Sequence, residues 1–238
     1  MFLRNFRKYL DFCVFLYYNI LKDGRGHSDH QTIIHPRSAV HITLMNKENV
    51  TKIFSRIPEL ETARLTLRKL RVSDSDDMFD YSRDPRVTEF LLWEPHKTVR
   101  ESRDYLNYLQ KCYRSGEFYD WGLVERVSGR MIGTCGFTSL DFKHNSAEVG
   151  YVLNSAVWGK GYAVEALTRV LRFAFIDLNV HRVEAKYIVG NERSLRVMKK
   201  CGMKFEGIRR ESMFIKGNYR DIGYCSILAD EFLCRLTK

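Results

Sequence analysis

The chain has 238 residues, 45% hydrophobic and 29% charged, with only 4 prolines, which excludes a wholly disordered polypeptide and supplies material for a core. A formal charge of +10 favours anionic partners such as nucleic acid, ribosomal surface, phosphate-bearing cofactors or membrane headgroups, and selects none of them. Cys13, Cys112, Cys135, Cys201, Cys225 and Cys234 form no C-x-x-C pair, so we read them as reduced thiols of a cytoplasmic protein. No metal site is expected: His27, His30, His35 and His41 cluster in a polar stretch without a helical carboxylate and histidine pair beside them.

Residues 1 to 56 carry nine Lys and Arg against four Asp and Glu, so the basicity is densest there. Arg4, Arg7 and Lys8 precede an apolar run, Phe12 to Tyr18, that is far shorter than the roughly 20 residues of a spanning helix. No small-residue cleavage site follows. The segment reads as an amphipathic helix on an acidic membrane or a partner, as a loosely docked helix, or as sequence upstream of a second start at Met45. Its Asp23 to Arg37 stretch reads as a linker, which places the expected domain boundary near Ile57 and the folded domain over 57–238.

Within that domain R-L-T-L-R-K-L alternates Leu65 and Leu67 with polar residues and predicts a half-buried strand. Ser73, with Asp74, Asp76 and Asp77 behind it, predicts a helix start, and a second helix is expected from about Thr98 to Arg114. The loop between them holds Trp93 and His96, candidates for lining a substrate pocket together with Tyr219. Three strands follow, F-Y-D-W-G-L-V-E-R, R-M-I-G-T-C-G-F-T-S-L and A-E-V-G-Y-V-L, whose short joins predict an antiparallel meander. A helix to about Leu178 presents Glu165, Thr168, Arg169 and Arg172 as its polar stripe. Then come the strand H-R-V-E-A-K-Y-I-V, a helix from Glu192 to Cys201 stopped by Gly202, and strands Met203 to Glu211 and Tyr219 to Leu228. The class is α+β: a mixed, mostly antiparallel sheet with one parallel crossover between Leu153 and His181.

The turn V-W-G-K-G-Y-A-V-E-A lies between an apolar strand and a long helix. Two glycines there let the backbone approach a ligand, and the helix start offers unpaired N–H groups and a positive dipole end, which suits a pyrophosphate. Val164 stands where a dinucleotide fingerprint needs glycine, and no G-K-[ST] is present.

A-E-V-G-Y-V-L-N-S-A-V-W-G-K-G-Y-A-V-E-A-L, followed by N-E-R-S-L-R-V-M-K-K-C-G-M-K-F-E-G, resembles the GNAT acyltransferases, in particular their RimJ/RimL branch that acetylates protein N-termini. T-A-R-L-T-L-R and L-W-E-P-H add to a likeness that runs from about Pro58 to Phe232. The resemblance implies the GNAT fold, with a splayed parallel strand pair, and acetyl-CoA as cosubstrate. It implies that Trp158, Gly159, Lys160, Gly161, Tyr162 and Ala163 wrap the CoA pyrophosphate, that pantetheine lies along Tyr151, Val152 and Leu153, and that Asn191 and Ser194 meet its far side. Ala156 stands where the family often has Gln or Arg, and Met198 where many members have a tyrosine acid.

Acetyl transfer to an amine needs a neutral nitrogen, a stabilised oxyanion and a protonated thiolate. An α-amine of pKa about 8 is already partly neutral at pH 7, so a modest base suffices. Glu148 is the candidate base, or else a cross-strand surface carboxylate. A backbone N–H near Leu153 is the candidate oxyanion donor, and Ser194 or a water the acid. The expected acceptor is a protein N-terminus, ribosomal in the family's pattern. Acetylation of a small amine, and a non-catalytic acyl-CoA-binding or ribosome-associated module, are the alternatives.

Overall fold

The computed structural model describes residues 44–236. Asn46 opens the first described helix, α1 (Lys47–Ser55), by accepting the Asn49 N–H at 3.1 Å. Val50 and Phe54, four residues apart, fall on one face of it and are buried. The Phe54 ring meets Tyr119, Trp121, Phe137 and Phe173 edge-on, at centroid distances of 4.8 to 6.2 Å. The compact unit therefore begins at Leu44, and the boundary expected near Ile57 was placed too late: the core needs this helix.

Strands β1 (Leu60–Glu61) and β2 (Leu65–Arg68) form a tight pair in which Leu65 and Leu67 are buried, as their alternation predicts. Arg68 grips the buried Asp74 through two hydrogen bonds of 2.8 and 2.9 Å, and α2 (Ser75–Ser82) starts there. Asp77 on α2 accepts the Met131 N–H at 2.8 Å, tying this helix to the sheet. A short helix the sequence reading did not foresee, α3 (Pro85–Thr88), follows, started by Asp84 and a first-turn proline. Helix α4 (Val99–Ser115) begins after Thr98, as expected, and ends at Gly116 in the left-handed region, φ +68°.

The meander is β3 (Tyr119–Glu125), β4 (Met131–Asp141) and β5 (Ser146–Leu153), all antiparallel. Helix α5 (Tyr162–Arg172) relaxes into a π turn over Phe173–Asp177 and leads to β6 (Arg182–Ile188), parallel to β5. After α6 (Glu192–Lys200), β7 (Lys204–Ile215) and β8 (Asn218–Leu228) make a long hairpin. Strand β7 passes the expected end at Glu211 because irregular registers between Phe205 and Gly207, and between Arg209 and Met213, absorb the extra residues. A terminal helix absent from the sequence reading, α7 (Ala229–Leu236), buries Phe232 against Phe175, 5.1 Å between ring centroids.

The eight strands lie in the order β1-β2-β3-β4-β5-β6-β8-β7, with β5–β6 as the parallel neighbours. Side chains alternate between the two faces, so Trp121 and Val149 look toward the aromatic core while Asp120, Gly136 and Glu148 look the other way.

Candidate active site

The parallel pairing of β5 with β6 covers only Ser146↔Arg182 to Val149↔Ala185. Beyond it, Gly150–Leu153 pair only with β4, and Lys186–Ile188 only with β8. The strands part there, leaving one edge of β5 without a strand neighbour. Such an edge receives an extended ligand as an added strand.

At the end of β5 the chain is folded back by short-range bonds. Asn154 accepts the Ala156 N–H at 3.0 Å, and the Trp158 indole donates to the Leu153 carbonyl at 3.0 Å. Gly159 and Gly161 both have left-handed backbones, φ +78° and +83°, which favour glycine. A Cβ on Gly159 would meet nothing within 4 Å, and one on Gly161 only the Arg64 guanidinium at 3.5 Å. The turn is open on its outer side.

Gly161 begins α5 without a side-chain cap, and the first backbone bond of the helix runs from the Glu165 N–H to the Gly161 carbonyl at 3.1 Å. The N–H groups of Tyr162, Ala163 and Val164 thus have no intrahelical acceptor and point out at the positive dipole end. Lys160 is exposed beside them. The Tyr162 side chain turns away and bonds Glu125, so what it offers a ligand is its backbone.

Glu165 behaves differently from the outer polar stripe expected for it. Its Oε1 accepts from Thr62 Oγ1 at 2.6 Å and the Arg64 N–H at 2.8 Å, and its Oε2 pairs with the Arg64 guanidinium at 2.6 Å. Arg64 then donates to the Lys160 carbonyl at 2.9 Å and covers the Tyr162 ring at 4.2 Å. This brace holds the glycine turn against β2. Sequence reasoning missed it because Arg64 and Glu165 are 101 positions apart.

Across the cleft, Asn191 starts α6, its side-chain oxygen accepting the Ser194 N–H at 3.1 Å. Only the amide nitrogen of Asn191 remains to meet a ligand. Tyr151 reaches α6 from β5, its hydroxyl 2.8 Å from Ser194 Oγ and 2.9 Å from the Ser194 carbonyl. Met198 is buried, and Arg193 stacks over Trp158 at 4.2 Å.

On the opposite face Glu148 forms an ion pair with Lys186 and accepts from Thr138 Oγ1 at 3.1 Å. Gly136 and Gly150 pair across β4 and β5 next to it, and a Cβ on either would collide, with Asp120 at Gly136 and with the Thr138 methyl at Gly150. Asp120 lies beside Gly136 with Oδ1 buried and unpartnered, a residue that no local motif singles out. Burial pushes its carboxyl up to about 7, against a hydrogen bond from Thr134.

His96 bonds Ser102 Oγ at 2.7 Å through Nδ1, and burial lowers its pKa. Its ring is 5.4 Å from that of Trp93, so these two candidates do come together. Tyr219 does not join them. It is 66% exposed on the β7–β8 hairpin and packs on Phe214 at 5.1 Å. From the hairpin, Lys216 donates to the Thr88 carbonyl of α3 at 2.7 Å, and Phe90, in the loop that carries Trp93, packs on the cluster of Ile188, Ile215 and Ile222.

Two parting parallel strands beside a glycine turn and an uncapped helix start make a cleft suited to an extended ligand that ends in an anionic group. The chain belongs to the GNAT acetyltransferases: the family's acetyltransferase (GNAT) domain matches residues 64–204. The chain is 33% identical to the N-acetyltransferase p20 of Bacillus licheniformis over 173 residues, 73% of this chain and 97% of that one. It is 28% identical to the [ribosomal protein uS5]-alanine N-acetyltransferase of Escherichia coli, covering 74% and 90% of the two chains. It is 26% identical to the spermidine N(1)-acetyltransferase of Vibrio cholerae, covering 73% and 98%. The crystal structure of a GNAT-family acetyltransferase from Bacillus anthracis superposes with a TM-score of 0.66 at 25% identity, over 73% of this chain and 99% of that one.

The fold class read from the sequence therefore holds, and the protein is an N-acetyltransferase. Among the described residues no group of three or more His, Cys, Asp or Glu could hold a metal ion, and no helix is long and apolar enough to cross a membrane. The four histidines of residues 27–41 and the other readings of residues 1–43 lie outside the described residues.

Proposed function

We propose that the acceptor is the α-amine of a polypeptide, as in the RimJ/RimL branch, and that Glu148 takes its proton directly or through one water. Acetyl-CoA, the family's acyl donor, supplies an activated acyl group. The residues present fit it: the open edge of Gly150–Leu153 suits pantetheine, and the N–H groups of Tyr162, Ala163 and Val164 with the open Gly159–Gly161 turn suit a diphosphate. The Asn191 amide nitrogen is assigned to the same ligand, its oxygen being taken by the Ser194 N–H. A backbone N–H near Leu153 steadies the developing oxyanion, and Ser194, held by Tyr151, delivers the proton to the departing sulfur.

The observation that favours a peptide over a polyamine is the neutralisation of the acids on the acceptor face. Glu148 is paired with Lys186, and Arg182 takes both Glu184 and Glu206. A site for a polycation needs carboxylates left free. Thiol release from acetyl-CoA, measured with peptides of varied N-termini and with spermidine, tests this. Turnover with peptides alone supports the proposal. Turnover with spermidine alone refutes it in favour of a small-amine enzyme, and binding of CoA with no turnover would point to a non-catalytic module.

A further inference from the structure

A line of side chains runs outward from Glu148 across the face that carries it. The Lys186 ammonium, paired with Glu148, lies 5.6 Å from the centre of the Tyr224 ring. Arg209, on the edge strand, covers the same ring at 4.4 Å, with Nη1 3.4 Å from the Tyr224 hydroxyl. Strand register explains the arrangement: Lys186 stands opposite Tyr224, Tyr224 opposite Gly207, and Arg209 opposite Ile222. Gly207 has no side chain and open space where a Cβ would lie, and Lys186 and Arg209 are exposed on either side of the half-buried ring. Alternation along β8 puts Arg220 on this face as well. Phe90, Ile188, Met213 and Ile222 make an apolar floor beside it.

Two cations on this face are left without a salt bridge among the described residues. Glu148 is taken by Lys186, and Glu184 and Glu206 by Arg182, whereas Arg209 and Arg220 are exposed and make no salt bridge with a described residue. At the hairpin turn Lys216 has Glu94 at 3.9 Å and Glu89 also near; burial lowers its pKa against the pull of Glu94, and the approach of Arg220 adds to the lowering. Arg209 and Arg220, left without a salt bridge among the described residues, are the cations that an anionic ligand would answer. The inner end of the line is a carboxylate and its floor is apolar, which suits an amine-headed peptide and disfavours a phosphate backbone.

We propose that this face is the track of the acceptor chain and that it selects polypeptides with acidic side chains shortly after the N-terminus. The inference rests on the peptide reading above. From β5 to β7 are three strand spacings of about 4.8 Å, roughly 14 Å, which an extended chain covers in about four residues. The preferred acids therefore fall near the third to fifth residue of the acceptor.

The test compares kcat/KM for peptides with the same first two residues and Glu, Ala or Lys at the next three, in the native protein and in R209E/R220E. The native protein is expected to favour the Glu peptide over the Lys peptide by about tenfold, less at high salt, and the double variant to lose or reverse that order. Equal kcat/KM across the three peptides, or an order unchanged in the variant, overturns the inference while leaving the transferase reading intact. Failure of every peptide alongside turnover of spermidine overturns both. Binding of a single-stranded RNA that is lost in the variant, with peptide order unaltered, would assign the face to nucleic acid instead.

Discussion

The Tyr151 hydroxyl stands 2.8 Å from Ser194 Oγ, joining β5 to the first turn of α6 at the place where β5 and β6 separate. Burial raises the phenol's pKa, so it stays protonated and serves as a donor. Its one hydrogen has two acceptors, the Ser194 carbonyl at 2.9 Å and Ser194 Oγ at 2.8 Å; when it goes to the carbonyl the serine donates to the phenol, and when it goes to Oγ the serine hydrogen is free to point into the cleft. With Met198 at the position where many family members have a tyrosine, the sequence left Ser194 or a water as the candidate acid. The structure sets the Tyr151 hydroxyl against that serine. Tyr151→Phe is expected to lower kcat by about tenfold with the KM for acetyl-CoA little changed, the loss of one hydrogen bond's worth of positioning. Tyr151→Phe combined with Ser194→Ala should be little worse than the weaker single variant, and strictly multiplicative losses would show that the two act separately.

Glu148→Gln keeps the shape of the side chain and removes the base. Turnover is expected to fall by about a hundredfold with substrate KM nearly constant, measured as steady-state thiol release across pH 6 to 9. A full rate throughout that range would reduce Glu148 to a cross-strand partner of Lys186 and Thr138.

Asp120 makes the folded state sensitive to pH. Its folded pKa, about 7, lies above the ordinary aspartate value of 3.8, because burial disfavours the charged form. The native state holds this proton more tightly than the unfolded one, so stability falls as pH rises from about 4 to about 7 and stays lowered above that. Asp120→Asn is expected to be more stable than the native protein at pH 8, with much less advantage at pH 5. Urea unfolding at the two pH values reads the difference, and an equal effect at both would contradict the raised pKa.

Phe54 tests where the folded unit begins. With the ring fully buried among four other aromatic side chains, Phe54→Ala is expected to cost about 3 to 5 kcal/mol in urea unfolding. Removing residues 1–43 should leave the unfolding midpoint nearly unchanged, while removal through Arg56 should lower it sharply. Equal midpoints for the two truncations would return the boundary to Ile57.

What the sequence made legible was what local pattern controls. Leu65 and Leu67 alternate, Gly202 ends a helix, and the short joins around Ser128 and Gly129 bring three strands together, so most of the sheet could be read in advance. The glycine turn was legible because φ values near +80° at Gly159 and Gly161 favour glycine. Long-range pairings left no such mark. Arg64 and Glu165, Tyr151 and Ser194, and Glu148 and Lys186 meet only after the chain has folded, and each member alone resembles an ordinary surface residue. Helix α1 escaped notice because its two buried residues, Val50 and Phe54, sit in a polar run, and Tyr219 was misplaced because the turn of the long hairpin carries it to an exposed position.

The central claim is that a diphosphate sits on the N–H groups at the start of α5. Calorimetric titration of coenzyme A into the native protein, Gly161→Ala and Gly161→Glu tests it, the alanine variant sharing the backbone strain without the charge. The native protein is expected to bind, the alanine variant somewhat less tightly, and the glutamate variant weaker than alanine by about a hundredfold, through like-charge repulsion at the anion site. No heat from the native protein, or equal affinities for the alanine and glutamate variants, would contradict the account.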